Sequence, residues 1–307
     1  MDITWLLQPF EFAVEHIVNS NKRLFWLYIV SSFILALIAL RATKGLNNKL
    51  AIIFNKNVWL HRSAKQDYWI WLINGGIKAF IIVPLLFSSA PLAIKLNQFL
   101  QGMFGDIPSD YFVAYNIPIL FTLLLFLLDD FSRFLLHWLS HKVPLLWRFH
   151  QVHHSAEVLT PVTVYRIHPI ESALYAVRLI LTQAIAIGVG VYLFGRHLDV
   201  IDILGANAFV FAFNLLGANL RHSHIWLSWG NKVEYWFISP AQHQIHHSVE
   251  HTHYDKNFGS ALAVWDRMFG TLLTANRTTK PRKFGLTNNK LTNLKHLYLT
   301  PLKRFRK

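Results

Sequence analysis

Charge all but disappears from five stretches of this chain. Positions 24–40 and 111–128 carry no charged residue, 68–94 only Lys78, 173–194 only Arg178, and 200–220 only Asp202. A helix crosses the hydrocarbon core of a bilayer in about 17 to 25 apolar residues. The pattern therefore predicts an all-α integral membrane protein with four to five transmembrane helices: four full spans and a marginal one at 24–40. Between and after them the apolar periodicity shortens. The run 111–136 leads straight into His137 and His141, and Pro144 then breaks the helix. LLWRFHQVHHSAE reads as a short amphipathic helix lying on a membrane surface. HPIESALYAVRLI opens another helix, with Pro169 and Glu171 in its first turn. Gly195 punctuates a hairpin between 173–194 and 198–220. ISPAQHQIHHSVE echoes the earlier short segment, with Ser239 as N-cap and Pro240 at the first helical position.

Composition agrees. The chain has 307 residues, of which 53% are hydrophobic and 15% charged, with mean hydropathy of +0.31; an ordinary soluble domain is less apolar. The N-terminus holds Asp2, Glu11 and Glu15 and no basic leader, so it does not read as a cleavable signal. One membrane-embedded domain is expected over 1–277, followed by a basic cytoplasmic tail, 278–307, ordered only near the membrane. The net charge of +14 raises the question of nucleic acid, but its distribution argues against that partner. Arg41, Lys44, Lys49, Lys56, Arg62 and Lys65 crowd one linker, ten Lys or Arg follow from Arg277 onward, and the linker 88–110 has Lys95 alone. That asymmetry is the positive-inside pattern. It puts 41–67, 137–172 and everything after Leu220 on the cytoplasmic side, in a bacterial inner or cell membrane or a eukaryotic ER membrane. With no cysteine in the chain, disulfides, thiolate metal sites and cysteine nucleophiles are excluded.

Histidine carries the chemistry. His150-x-x-His153-His154 and His243-x-x-His246-His247 are two copies of one pattern, and His137 and His141 precede the first. Positions i, i+3 and i+4 share a helix face, so each copy is expected to aim three imidazoles at one point. Five or fewer ligands fill one metal site; eight or nine call for two metals, and neutral nitrogen donors suit iron, zinc, copper or nickel. His16, His61, His197 and His296 lack any partner pattern and read as ordinary hydrogen-bonded residues. His251 and His253 sit in a polar stretch, solvated or behind the ligands, and His224 is open between ligand and bystander.

Taken together these segments resemble the sterol desaturase/fatty acid hydroxylase superfamily of membrane di-iron enzymes, over about residues 125–275. Asp130 stands seven residues before the first box. HKVPLLWRFHQVHHS is similar to the family's second box, YRIHPIE to its R-x-H-P-x-E segment, and YDKNFGSALAVWDRMFGTLL to its closing segment. The resemblance implies the metal ligands His137, His141, His150, His153, His154, His222, His243, His246 and His247, with no catalytic side chain beyond them. His168 is a tenth ligand or a residue behind the ligands, and Glu171 stands with it as ligand or support. Asp130 holds His137 through a neighbour or is a tolerated interfacial acid, while Asp129 is the more solvent-facing of the pair. Asp255 and Asp266 orient third-box histidines or brace a loop. Phe134 and Trp138 depart from the family's usual Tyr and Arg. Neither change removes a ligand.

The implied activity is O2-dependent hydroxylation or desaturation of a lipid C–H bond by two iron ions, on a sterol, fatty acyl chain, sphingoid base, ether lipid or carotenoid drawn from the bilayer. The ligand set also accepts zinc, which purified protein can carry. No haem or ferredoxin segment is fused, so electrons are expected from a separate protein or a small reductant. The third box resembles that of the alkylglycerol monooxygenase branch, which uses a reduced pterin. The competing reading, a metal-binding or metal-transport membrane protein, needs ionisable partners near mid-membrane, and Lys78, Arg178 and Asp202 are scattered.

Overall fold

The computed structural model describes residues 14–83, 86–107, 116–195, 198–276 and 279–303. Asp2, Glu11, the start of the 111–128 run, His197, Arg277 and the last four residues of the basic tail lie outside them. The principal helices, in chain order, are α1 (Trp26–Ala39), α2 (Leu46–Ile53), α3 (Arg62–Ile77), α4 (Ala90–Phe104), α5 (Ile117–Lys142), α6 (Pro144–His154), α7 (Pro169–Phe194), α8 (Ala208–Leu215), α9 (Pro240–His246), α10 (Val264–Met268) and α11 (Leu294–Leu299). Among the described residues the only strands, β1 (Asp202–Ile203) and β2 (Ala206–Asn207), pair antiparallel in one tiny hairpin.

Two long helices form the frame. α5 and α7 each have 26 residues, about 39 Å at 1.5 Å per residue. Both start on proline or one residue before it, which suits the first turn because the missing N–H would have had no partner there. α7 packs against α5 on one side and α4 on the other. Glycine allows this closeness. A Cβ on Gly190 would lie 2.6 Å from the Phe121 ring of α5, and one on Gly188 would lie 2.9 Å from the Ala93 carbonyl of α4.

The apolar runs resolve differently from the expected four to five crossings. α7 is the one described helix that is long and apolar enough to cross a membrane by itself. Run 111–128 lies partly in α5, which continues past it to Lys142. Run 24–40 yields α1, whose 14 residues reach about 21 Å, short of the hydrocarbon core of about 30 Å. Run 68–94 is divided among α3, a π-helical turn (Lys78–Ile82) and α4. Run 200–220 is not a crossing helix: it turns through the β1–β2 hairpin, forms the two-turn α8 and ends in a 3-10 turn (Ala218–His222). Leu204 at φ 54°, Gly205 at 81° and Gly217 at 91° are left-handed positions that no continuous right-handed helix admits.

At one end of the α5–α7 pair sits a helical cap made of α6, α9, the 3-10 turn and the loop 256–273. A buried ion pair holds it to α3. Arg166 Nη1 donates to Asp67 Oδ1 (2.6 Å), and Thr163 Oγ1 donates to Asp67 Oδ2 (2.6 Å). The basic tail does not hang free over its described part. Leu291 and Leu297 are buried against Ile70 of α3 and Val152 of α6, and Arg62 Nη2 donates to the Thr292 carbonyl.

Candidate metal centre

Nine histidines meet at the α5 end inside the cap. His137 and His141 come from consecutive turns near the end of α5, and His150, His153 and His154 from α6. His243 and His246 lie on α9, His247 is its C-cap, and His222 comes from the 3-10 turn. They separate into two groups that could each hold a metal ion. His137, His141, His150, His154 and His246 form one; His153, His222, His243 and His247 form the other. Within each, the ligand nitrogens lie within 4.8 Å of one another. The groups touch: the His154 and His247 rings stack at 4.6 Å.

This corrects the expectation that each box serves one point. In the first box, positions i and i+4 enter one group and i+3 the other; in the second box the assignment is reversed. At 100° per residue, i+3 and i+4 diverge by about 100°, so one box spans two neighbouring foci. α6 and α9 therefore cross-supply both.

Burial keeps these imidazoles neutral. It pushes His150 and His153 down to about 3, with the His150 charge adding to the effect at His153, and pushes the other seven well below the ordinary range. Neutral imidazole is the form that binds metals. Three of the five histidines of the first group also have their tautomers set, while the Nε2 atoms of the other two, His141 and His154, lie 3.1 Å apart. His137 Nδ1 donates to the Phe258 carbonyl (2.8 Å), His246 Nδ1 to the Lys256 carbonyl (2.8 Å), and His150 Nδ1 to Glu171 Oε1 (2.6 Å). Each proton on Nδ1 leaves a lone pair on Nε2, and the Nε2 atoms of His137, His150 and His246 are buried without a hydrogen-bond partner. An unsatisfied buried acceptor costs about 1–3 kcal/mol, and a cation would relieve all three.

In the second group the Nε2 atoms face one another. His153–His222 is 3.2 Å, His222–His243 3.0 Å and His243–His247 3.2 Å. Adjacent nitrogen ligands about 2.0–2.1 Å from one ion sit about this far apart. Arg221, which can only donate, has Nη2 3.2 Å from His243 Nδ1. That contact puts the proton of neutral His243 on Nε2, so here His243 hydrogen-bonds within the group and would have to give up either that proton or the Arg221 contact to bind a metal through Nε2.

The remaining sequence-derived residues fall as follows. Glu171 reaches the site as the partner of His150. His168 does not: its Nδ1 accepts from Ile170 N as the N-cap of α7, and its Nε2 contacts the Tyr298 carbonyl of the tail. His224 Nε2 donates to the Ile52 carbonyl and stands outside both groups. Asp130 does not touch His137 itself and acts on it only through a neighbouring loop. It accepts from Ala261 N, Leu262 N and Trp265 Nε1, bracing the loop whose Phe258 carbonyl holds His137. Asp266 accepts from Phe258 N, Gly259 N and Thr271 Oγ1, again bracing that loop. Asp255 is ion-paired to Lys142 Nζ (2.6 Å), with an oxygen 3.9 Å from His141 Nδ1. Asp129 is the more solvent-exposed acid of the two, as expected, with 23% of its side chain accessible while Asp130 is buried; it pairs with Arg133 and Arg178. Sequence reasoning missed the two backbone carbonyls, which leave no residue-type signal, and Arg221, which lies directly beside His222. It also missed Trp147, whose ring packs 4.9 Å from His141.

The helical chain thus has two crossed boxes that supply paired all-histidine groups, each of which could hold a metal ion. Residues 122–271, just under half of the chain, match the Fatty acid hydroxylase family. It is 32% identical over 156 residues to the ornithine lipid hydroxylase OlsE of Rhizobium tropici, covering 50% of this chain and 42% of that one. It is 28% identical over 163 residues to the alkylglycerol monooxygenase of Homo sapiens, covering 53% and 32%. It is 24% identical over 281 residues to the Delta(7)-sterol 5(6)-desaturase erg3B of Aspergillus fumigatus, covering 88% and 73%. The chain thus spans less than half the length of the first two relatives. No solved structure matches it.

Proposed function

We propose that this chain is a membrane di-iron oxidoreductase that hydroxylates or desaturates a C–H bond of a lipid, using O2 and electrons from a separate donor. The observation that carries the reading is the pair of adjacent nitrogen groups, one with three orphaned Nε2 atoms aimed inward. Iron held there would supply the oxygen activation that an aliphatic C–H bond demands. The protein's own part is to present neutral imidazoles, fix the tautomers of His150, His137 and His246 through Glu171 and the Phe258 and Lys256 carbonyls, and keep water away. The Phe258 ring does the last, packing against His137, His141 and His246 at 4.9–5.5 Å. The names of the relatives, each a hydroxylase, monooxygenase or desaturase, support oxidation over metal transport.

Membrane embedding is part of the proposal. α7 has the length and hydropathy to cross. Ile34, Phe80, Phe99, Leu181 and Ile185 are exposed large apolar side chains, as lipid-facing surfaces require. The basic linker and the described basic tail meet beside the histidine end, which under the positive-inside rule makes that end cytoplasmic.

The test is comparative lipidomics of cells with and without the protein, grown in air. A lipid that gains one oxygen or loses two hydrogens only when the protein is present is the expected result, and it names the substrate. No lipid change from a protein that is expressed and iron-loaded would reject the reading.

A further inference from the structure

A second polar feature runs along the same helix pair, ahead of the histidines. On α5, Asp129, Arg133, His137 and His141 recur every four residues and so share a face. On α7, Glu171, Tyr175, Arg178 and Thr182 do nearly the same. The two rows meet. Glu171 holds His150 at the metal end. About two turns away, Arg178 Nη1 donates to Asp129 Oδ1 (2.9 Å) and to Ser132 Oγ (2.5 Å), while Thr182 Oγ1 lies 3.0 Å from Ser132 Oγ. Arg133 Nε donates to the other oxygen of Asp129 (2.7 Å).

The charges do not balance. A structural ion pair between apolar helices needs one cation for one anion, and here a single carboxylate is shared by two guanidinium groups. Arg178 is half-buried, with 9% of its side chain exposed and its Nε without a partner. A third guanidinium, Arg23, approaches from the α8 side. Its Nη1 donates to Asn214 Oδ1 (2.6 Å), and α8 packs on α5. Among the described residues Arg23 has no carboxylate partner. Burial and, after it, the nearby charge of Arg133 press it down to about 10. Asp130 also acts on Arg133, so three guanidinium groups set against two carboxylates leave about one positive charge uncompensated in a largely apolar setting. Such an excess is expensive, and ionisable groups among membrane helices mark functional sites by default. Arg133 keeps 43% of its side-chain surface accessible, so a ligand can reach it.

We propose that Arg133, Arg178 and Arg23 bind an anionic group, a phosphate or carboxylate, on the lipid substrate. The assignment rests on the lipid-oxidising function proposed above and narrows its substrate class. Guanidinium groups match such oxygens in pairs. Arg133 lies one helical turn, about 6 Å along the axis, before His137. The head group is thus anchored close to the metal end, and the oxidised carbon lies at a short, fixed distance from it along the chain.

Calorimetric titration of the full-length protein in detergent tests this with dodecyl phosphate, 1-dodecanol and inorganic phosphate. Wild type should bind dodecyl phosphate at least about tenfold more tightly than either of the others. Arg133→Gln and Arg23→Gln should each erase most of that preference while leaving dodecanol binding unchanged, and Arg133→Lys should retain part of it. Equal affinity of wild type for phosphate and alcohol overturns the proposal, as does a preference that survives in Arg133→Gln. Inorganic phosphate binding as tightly as dodecyl phosphate overturns the head-group assignment in favour of a free anion. Metal content measured on the same samples separates the two readings. Protein that binds metal but shows no head-group preference removes only this site, whereas the preference in protein with no metal affinity removes the di-iron function.

Discussion

At the scale of single residues, what the sequence made legible and what it hid divide cleanly. All nine histidines named from the boxes and the resemblance lie in the two groups, because their types and spacing carry the signal. The partition between groups was not readable, since it depends on how α6 and α9 cross. Nor were the partners that set the tautomers, apart from Glu171, because a backbone carbonyl has no sequence identity. The crossed arrangement predicts that His150→Ala and His246→Ala, on different boxes, weaken the same one of two metal-binding steps, whereas His243→Ala weakens the other. Stepwise metal titration checks this, and pairing of effects by box instead would contradict it. Glu171→Leu keeps a side chain of similar size but removes the acceptor for His150 Nδ1. Loss of such a supporting hydrogen bond typically costs 10–100-fold in metal affinity; iron competition titration should show a loss of about that size, and unchanged affinity would mean that Glu171 plays no part in holding the ligand.

At the scale of elements, hydropathy located apolar segments well and described their shapes poorly. The 173–194 run became α7 with little change, because nothing inside it breaks a helix and Gly188 and Gly190 serve packing. The 200–220 run has comparable apolarity, yet Gly205 and Gly217 adopt φ of 81° and 91°, and Asn207 caps α8 by accepting from Phe209 N. Those turn residues were visible in the sequence, and averaging over the run conceals them. Similarly, Lys78 and the Ser88–Ser89 pair flag the break in 68–94. The basic tail read as loose because its charge dominates, whereas Leu291 and Leu297 supply the anchoring. The close contact of α5 with α7 gives an element-level prediction. Gly190→Leu must displace the Phe121 ring, and overpacking of this kind costs about 1–3 kcal/mol. Thermal unfolding in detergent should show a melting temperature lowered by several degrees. Leu181, exposed on the same helix, should accept alanine with little change; equal effects would mean that the helices do not pack as closely as described.

At the scale of the whole molecule, the long helices provide an apolar frame and the cap gathers donors from α5, α6, α9 and the 3-10 turn at one end of it. No single element holds more than three of the nine histidines, so the centre exists only when the chain is folded, and metal binding should stabilise the fold by linkage. The proposed chemistry turns on that centre holding two ions. The most direct measurement is the metal-to-protein ratio of full-length protein reconstituted anaerobically with ferrous iron, taken together with X-ray absorption at the iron edge. Two iron ions per chain in a predominantly nitrogen environment are expected, falling to about one in His246→Ala. A wild-type ratio of one or less, or a ratio of two that persists unchanged in His246→Ala and His243→Ala alike, would contradict a two-ion centre built from these histidines.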